Sequence, residues 1–304
     1  MPAEESQPDH ISAVPLRHPW RWVAAVVIIG LAGLFLWGAK TNPAYHWDTY
    51  REYIFNPLVL EGAWNTLQLT IYSMVIAIVL GVALAVMRLS PNKVLNAIAW
   101  VYIWIFRGTP VWVQLVFWGL FPVLYPNIRI GIPWGPTFAQ FNIASLSLYF
   151  TLALVGLALN EAAYMAEIIR AGISSVPEGQ TEASAALGMS WWMTMRRTIL
   201  PQAMRVIIPP TGNEVISMLK TTSLVTAVPY TAELYGRARD VGIRLYEPVP
   251  LLLVASTWYL VITSVLMVGQ FYLERYFARG ASRKLTTKQL EDLAKAQGIS
   301  QEHI

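Results

Sequence analysis

The sequence predicts an all-α integral membrane protein of about six transmembrane helices, with both termini on the inner side. Three observations carry that expectation. Only 13% of the 304 residues are charged while 55% are hydrophobic. A soluble domain carries about 25% charged residues, and enlarging a soluble core would not remove the need for a wettable surface. Apolar stretches of spanning length recur along the chain, and the basic residues between them sort to alternate sides. Thirteen Trp and fourteen Tyr add to this, since both rings favour the headgroup interface.

The first apolar stretch, Trp22 to Trp37, has aromatic anchors at each end. Its leader is long and contains acidic residues, and no small-x-small cleavage site follows, so it reads as an uncleaved span. Residues 40–60 mix Tyr45, Trp47, Tyr50, Tyr53 and Phe55 with polar residues and read as an interfacial segment. Residues 64–87 are nearly all apolar and end at Arg88. Residues 94–121 form a long Trp-rich span interrupted by Arg107-Gly108-Thr109-Pro110. Residues 145–170 supply a fourth span and residues 249–273 a clear last one. The fifth, about 205–228, is weakened by Pro209, Pro210, Asn213, Glu214 and Lys220, and its prolines with Gly212 are expected to break it.

Charge fixes the orientation. With six spans, the inner segments hold fourteen of the 22 Lys and Arg, among them Arg88, Lys93, Arg170, Arg196, Arg197, Arg205 and the basic tail from Arg275 to Lys295. The outer segments hold six, and the bias gives N-in, C-in. Without the fifth span the basic tail would lie outside, which is the physical reason to retain it. Beyond Arg283 the tail is polar, and Thr286, Gln289 and Gly298 predict a capped surface helix.

Composition also excludes chemistry. There are no cysteines, and His10, His18, His46 and His303 all lie outside the apolar stretches. The membrane interior therefore offers no thiolate or imidazole for a metal site or for acid–base catalysis, and no paired carboxylates at a catalytic spacing. The net charge of +4 is spread between apolar segments rather than gathered with stacking aromatics, unlike a nucleic-acid surface. No Gly-x4-Gly-Lys-Ser/Thr phosphate loop is present. Gly38-Ala39-Lys40-Thr41 comes nearest and lacks the pattern.

The longest inner loop, residues 171–204, is not a plain charged turn. Residues 181–187 are small and helix-forming, Gly188 is a natural left-handed stop, and a second helical stretch after Ser190 is expected to halt at Pro201. A short helix with an Ala-rich face, braced by a second, suits docking into another protein's groove. Glu182-Ala183-Ser184, Gly188 and Leu200-Pro201 resemble the "EAA" loop of ATP-binding-cassette importer permeases. Ser184 stands where that pattern has a second Ala, and Thr198 where it usually has Ile.

Flanking segments resemble the permeases for polar amino acids, the His/Glu/Gln/Arg/opine subfamily. These are Gly62-Ala63-Trp64-Asn65-Thr66-Leu67, Arg107-Gly108-Thr109-Pro110 with Gln114, Tyr164 to Arg170, Gly179-Gln180, Leu200 to Ala203, and Leu219 to Leu224. The resemblance covers about residues 61–274. It implies a five-helix type I permease core over 61–277, with the coupling loop at 171–204. Residues 1–60 would add a cytoplasmic tail, one extra helix and an interfacial segment, and 278–304 a cytoplasmic tail. The ATPase-coupling residues would be Gly179, Glu182, Ala183, Ser184, Gly188 and Pro201.

The resemblance further implies two ABC ATPase subunits and a second permease subunit, identical or related. It also implies an extracytoplasmic amino-acid-binding protein and a bacterial inner membrane. ATP and Mg would sit on the ATPase, with no cofactor on this chain. ATP-driven closure would move the Glu182 loop as a rigid lever.

Ionisable groups at membrane depth cost roughly 2.5–3.5 kcal/mol, so those present are candidates for function. Asn213, Ser217, Lys220 and Leu224 are expected to share a face of the fifth helix, with Glu214 and Thr221 beside it. Asn160 and Glu161 lead toward Tyr164 and Glu167 in the fourth, and Arg107 and Gln114 are expected two turns apart on one side of the third. Gln114, Asn160, Glu161, Asn213, Glu214 and Lys220 are the substrate-path candidates, with Glu for an ammonium and Arg or Lys for a carboxylate. Glu167 with Arg170 reads as an i, i+3 structural pair, and Lys220 as a partner of Glu214 or a brace. A secondary transporter or channel would share the spans, but not the docking loop.

Overall fold

The computed structural model describes residues 19–132, 134–142 and 149–277. The tail helix expected over Thr286 to Gly298 lies outside them. The chain divides into two compact units, the first running through Trp47 and the second starting at Asp48.

In the first unit, helix α1 (Pro19–Thr41) is apolar and exposed all round, as a lipid-facing span requires. Asn42 ends the segment by capping a 3₁₀ turn, Pro43–Tyr45, and accepts from the Ala44 N–H at 3.0 Å. The Trp47 indole N–H donates to the Ala39 carbonyl at 3.0 Å.

The remaining elements follow in chain order. They are α2 (Trp47–Tyr53), α3 (Pro57–Leu89), α4 (Lys93–Gly108), α5 (Val111–Leu124), strands β1 (Asn127–Gly131) and β2 (Thr137–Asn142), α6 (Tyr149–Ser174), α7 (Glu178–Ala186), α8 (Trp191–Thr194), α9 (Leu200–Thr221), α10 (Leu234–Leu245) and α11 (Pro248–Phe277). Asn56 caps α3 and Asn92 caps α4 through their side-chain oxygens, which is why those helices begin where they do. Among the described residues, α1, α3, α6 and α11 are long and apolar enough to cross a membrane. The joined pair α4 and α5 is a fifth such segment. At 22 residues α9 is long enough as well, but its sequence is too polar for lipid to be its main solvent.

Three expectations about helix continuity need correction. The third span breaks where the sequence interrupts it, but α4 and α5 meet at 103°, so its two parts do not share one helical side. Pro110 has no N–H to continue the ladder and pushes Thr109 into extended conformation, φ −117° and ψ 144°. Arg107 and Gln114 therefore stand on different helices rather than on one face.

The helix after Ser190 does not halt at Pro201. A π-helical turn, Met195–Ile199, carries it into α9, with the Leu200 N–H reaching the Met195 carbonyl five residues back. Pro201 falls in the first turn of α9, where its missing N–H is tolerated.

Nor do Pro209 and Pro210 break the fifth helix. It continues to Thr221 while packed against α3, α6 and α11, and the Thr211 hydroxyl donates to the Ile207 carbonyl at 2.8 Å. A 3₁₀ turn, Thr222–Ala227, then takes Leu224 off the expected face. The β1–β2 hairpin, antiparallel with Asn127 opposite Asn142, is an addition to the expected all-α architecture. Its cues were the alternation Ile128-Arg129-Ile130 and the turn residues Gly131, Gly135 and Pro136.

Close packing of α3 on α6 organises the second unit. Small buried residues, Ala77, Gly81 and Ala85 on α3 with Ala158, Ala162 and Ala166 on α6, let the two backbones approach. Leu69, Leu157 and Met165 fill the layer between them and α9. A second apolar cluster joins Val59 and Ala63 of α3 to Leu234, Leu251 and Val254 of α10 and α11.

Above that cluster Glu233, wholly buried, caps α10 through the Tyr235 N–H at 2.8 Å and the Gly236 N–H, and accepts from the Tyr259 hydroxyl at 3.0 Å. Burial pushes its carboxyl up from the ordinary range, and those donors oppose the shift.

A methyl group on Gly81 would stand 2.7 Å from Met165 Cβ and 3.1 Å from the Ala166 nitrogen, so the helices would have to part. Gly81→Ala is expected to destabilise the protein by about 1–3 kcal/mol, read as a lower thermal unfolding midpoint of the detergent-solubilised protein. An unchanged midpoint would mean that α3 and α6 yield without cost.

Candidate functional site

The break between α4 and α5 forms one wall of a polar cavity of about 550 Å³. Arg107, Gly108, Thr109 and Pro110 supply that wall, Asn160, Glu161 and Tyr164 on α6 a second, and Glu214, Ser217 and Thr221 on α9 a third. A larger cavity of about 880 Å³ is lined by residues such as Val82, Ile169, Trp192 and Ile207. It presents no charged group, so a zwitterion would find no partner there.

The break holds its shape because its freed carbonyls have donors. The two hydrogens of the Gln114 amide are shared among the Phe106 carbonyl at 3.0 Å, the Thr109 carbonyl at 3.2 Å and the Thr109 hydroxyl at 2.6 Å. The Thr109 hydroxyl passes its own hydrogen to the Ile105 carbonyl at 2.8 Å. From α6, the Asn160 amide donates to the Phe106 carbonyl at 3.1 Å and to Gln114 Oε1 at 3.0 Å. One side-chain network thus ties α4, α5 and α6 together at membrane depth.

Charge is concentrated in this cavity. Glu161 is 6% exposed, and its Oε1 has no hydrogen-bond partner among the described residues although it is buried. Glu214 faces the same space from α9, and Arg107 is the cation lining it. The Arg107 guanidinium lies over the Tyr164 ring, 5.2 Å from its centre. A buried carboxylate oxygen without a donor is costly, and a cationic group entering the cavity would satisfy it.

Of the path candidates, Asn160, Glu161 and Glu214 come together in this cavity. Gln114 sits behind Asn160 and serves the break. Asn213 is turned to α11, where the Gln270 amide donates to its Oδ1 at 2.8 Å, and Lys220 is exposed outside the cavity lining. Glu167 pairs with Arg170 at 2.8 Å, one turn along α6. Tyr164 and Ser217, named with the polar faces of the fourth and fifth helices but not among the six path candidates, also line it. Their signals are the spacing of Asn160 and Tyr164 on α6 and of Glu214 and Ser217 on α9.

At the opposite end of α9, α7 presents an exposed surface. Glu182, Ala183, Ala185 and Ala186 are exposed, and Ser184 is the residue α7 buries. Gly188 closes the helix at φ +70°, with the Met189 N–H bonded to the Ser184 carbonyl at 3.1 Å and the Gly188 N–H to the Ala185 carbonyl at 2.9 Å. Ser190 then caps α8 by accepting from the Met193 N–H. Leu187, Trp191 and Trp192 are 80%, 70% and 65% exposed beside this cap. Gly179 has open space around it and Pro201 lies at the head of α9.

Residues 77–279 match the family described as "Binding-protein-dependent transport system inner membrane component". The chain is 60% identical over 297 residues to the arginine transport system permease protein ArgU of Corynebacterium glutamicum, covering 97% of this chain and 92% of that protein. It is 37% identical over 217 residues to the nopaline transport system permease protein NocM of Agrobacterium fabrum, 69% and 83% of the respective chains. Among solved structures, a chain of the crystal structure of an amino acid ABC transporter with histidines matches with a TM-score of 0.60 at 34% identity, over 72% of this chain and 94% of that one.

Replacing Gln114 by Leu removes an NH2 group shared among three acceptors at the break, leaving the Phe106 carbonyl to Asn160 alone, at a cost of about 1–3 kcal/mol. Gln114→Leu is expected to lower the thermal midpoint and to speed amide exchange across residues 106–109. Unchanged protection there would mean that Pro110 alone holds the bend.

Proposed function

The chain belongs to the family of binding-protein-dependent transport system inner membrane components, and from that premise we propose that its polar cavity passes cationic amino acids, arginine foremost. It is a multi-pass permease subunit of an ATP-driven amino-acid importer, without an ATP site of its own. A separate ATPase subunit and a substrate-binding protein are its partners.

The charge complement of the cavity carries the cargo assignment. Glu161 and Glu214 face Arg107 across one space, and arginine brings two cations and one carboxylate. The unpartnered Glu161 oxygen would take the ammonium or guanidinium and Arg107 the carboxylate, while Asn160 holds the break that carries Arg107. The name of the 60% identical relative, an arginine transport permease, supports the same cargo. ATP and Mg are bound by the ATPase alone in this reading. Two ATPase subunits serve two permease subunits, the second identical to this chain or related to it. Each ATPase groove receives α7 with Glu182, Ala183 and the exposed Leu187 and Trp191. Nucleotide-driven closure displaces α7, and through α9 the cavity opens alternately to each side.

Uptake by the complex reconstituted with its ATPase and binding protein tests this across arginine, lysine, glutamine and glutamate. Arginine is expected to be favoured. Glu161→Gln should lower arginine uptake about tenfold or more, the worth of one hydrogen bond to a charged group, with the affinity of the binding protein unchanged. A preference for glutamate would contradict the cationic assignment, and full uptake by Glu161→Gln would take Glu161 off the path. Uptake persisting without the ATPase would favour a secondary transporter.

A further inference from the structure

The two positions where the loop departs from the EAA pattern touch each other. Ser184 Oγ and Thr198 Oγ1 are 3.1 Å apart, at the residue that α7 buries. The Ser184 hydroxyl donates its hydrogen to the Gln180 carbonyl at 2.8 Å. A hydroxyl has one hydrogen to give, so the 3.1 Å contact has Thr198 as donor and Ser184 as acceptor. Beside it the Gln202 amide donates to Gln180 Oε1 at 3.1 Å and to the Thr198 carbonyl at 2.8 Å. Gln180 and Ser184 stand one turn apart on α7, as do Thr198 and Gln202 where the π-helical turn enters α9. Two adjacent cross-links therefore fasten α7 to the head of α9.

We infer that Ser184 and Thr198 form a hydroxyl staple that makes α7 and α9 a single lever, and that both are positioning residues for coupling ATP hydrolysis to movement of the cavity. This rests on the reading of α7 as the ATPase-docking helix. The helix that the staple grips carries Glu214 and Ser217 into the cavity. From Thr198 to Glu214 is about 24 Å at 1.5 Å per residue, so a shift at α7 reaches the cavity only if the joint at Thr198 does not give.

The pair is also matched. Ala opposite Thr198 would leave a hydroxyl without its acceptor, and an apolar residue opposite Ser184 would leave Ser184 without its donor. Two apolar residues would restore a compatible contact.

The test uses the complex reconstituted with its ATPase and binding protein, and measures arginine transported per ATP hydrolysed. Ser184→Ala and the isosteric Thr198→Val are each expected to lower that ratio about threefold to tenfold, the scale of one neutral hydrogen bond, while ATP is still hydrolysed. Thr198→Ser should keep the ratio, and the double variant S184A/T198V should recover most of it. Single variants with an unchanged ratio, or a double variant that loses the sum of the two, would overturn the staple. Glu182→Lys separates the two readings. If it abolishes uptake while the single variants behave as wild type, only the staple fails. If it leaves uptake intact, the docking reading and the staple fall together.

Discussion

A peptide carbonyl inside a bilayer needs a donor, and the rest of this structure depends on how that need is met where α4 breaks. Pro110 ends the ladder, and the Gln114 and Asn160 amides take over the carbonyls of Phe106 and Thr109. Because the replacement donors come from α5 and α6, the break cannot be mended or moved without disturbing both helices. It therefore fixes Arg107 against Tyr164 and sets one wall of the cavity opposite Glu161 and Glu214. The charge that makes the cavity useful is tolerated because this polar frame surrounds it.

The second constraint is mechanical. Helix α9 has prolines at 201, 209 and 210 and still runs unbroken from Leu200 to Thr221. A π-helical turn leads into it at one end, and it packs against α3, α6 and α11. An intact α9 links the exposed surface of α7 to the cavity, which a broken helix could not do. The closely packed pair of α3 and α6 lies against α9.

Much of this was legible in the sequence, and the parts that were not have a common cause. The spans at α1, α3, α6 and α11 follow from hydropathy, and the Gly188 stop and the helix start at Ser190 follow from local backbone chemistry. Hydropathy could not show that residues 94–121 bend by 103°, since the bend depends on donors from Gln114 and from another helix. Propensity read Pro201, Pro209 and Pro210 as breaks, but Pro201 falls in the tolerant first turn of α9 and the other two lie in a helix packed against α3, α6 and α11. The acidic pair was visible as Glu161 and Glu214, but only the fold separates them from Asn213, which serves Gln270, and from Lys220, which is exposed. The Ser184–Thr198 contact spans fourteen residues, and no local pattern predicts it.

The chain has no cysteine, so a thiol placed at Ser217 on the cavity wall is the single one it carries, and its label is read on this chain after separation from the partner subunits. The most direct measurement is the labelling of Ser217→Cys by membrane-impermeant thiol reagents, added to either side of vesicles holding the full complex, with and without trapped ATP. If the cavity is the path and ATP moves it, the thiol is expected to react from one side without nucleotide and from the other with ATP trapped. Reaction from the same side in both states, or from neither, would contradict an alternating path through Arg107, Glu161 and Glu214.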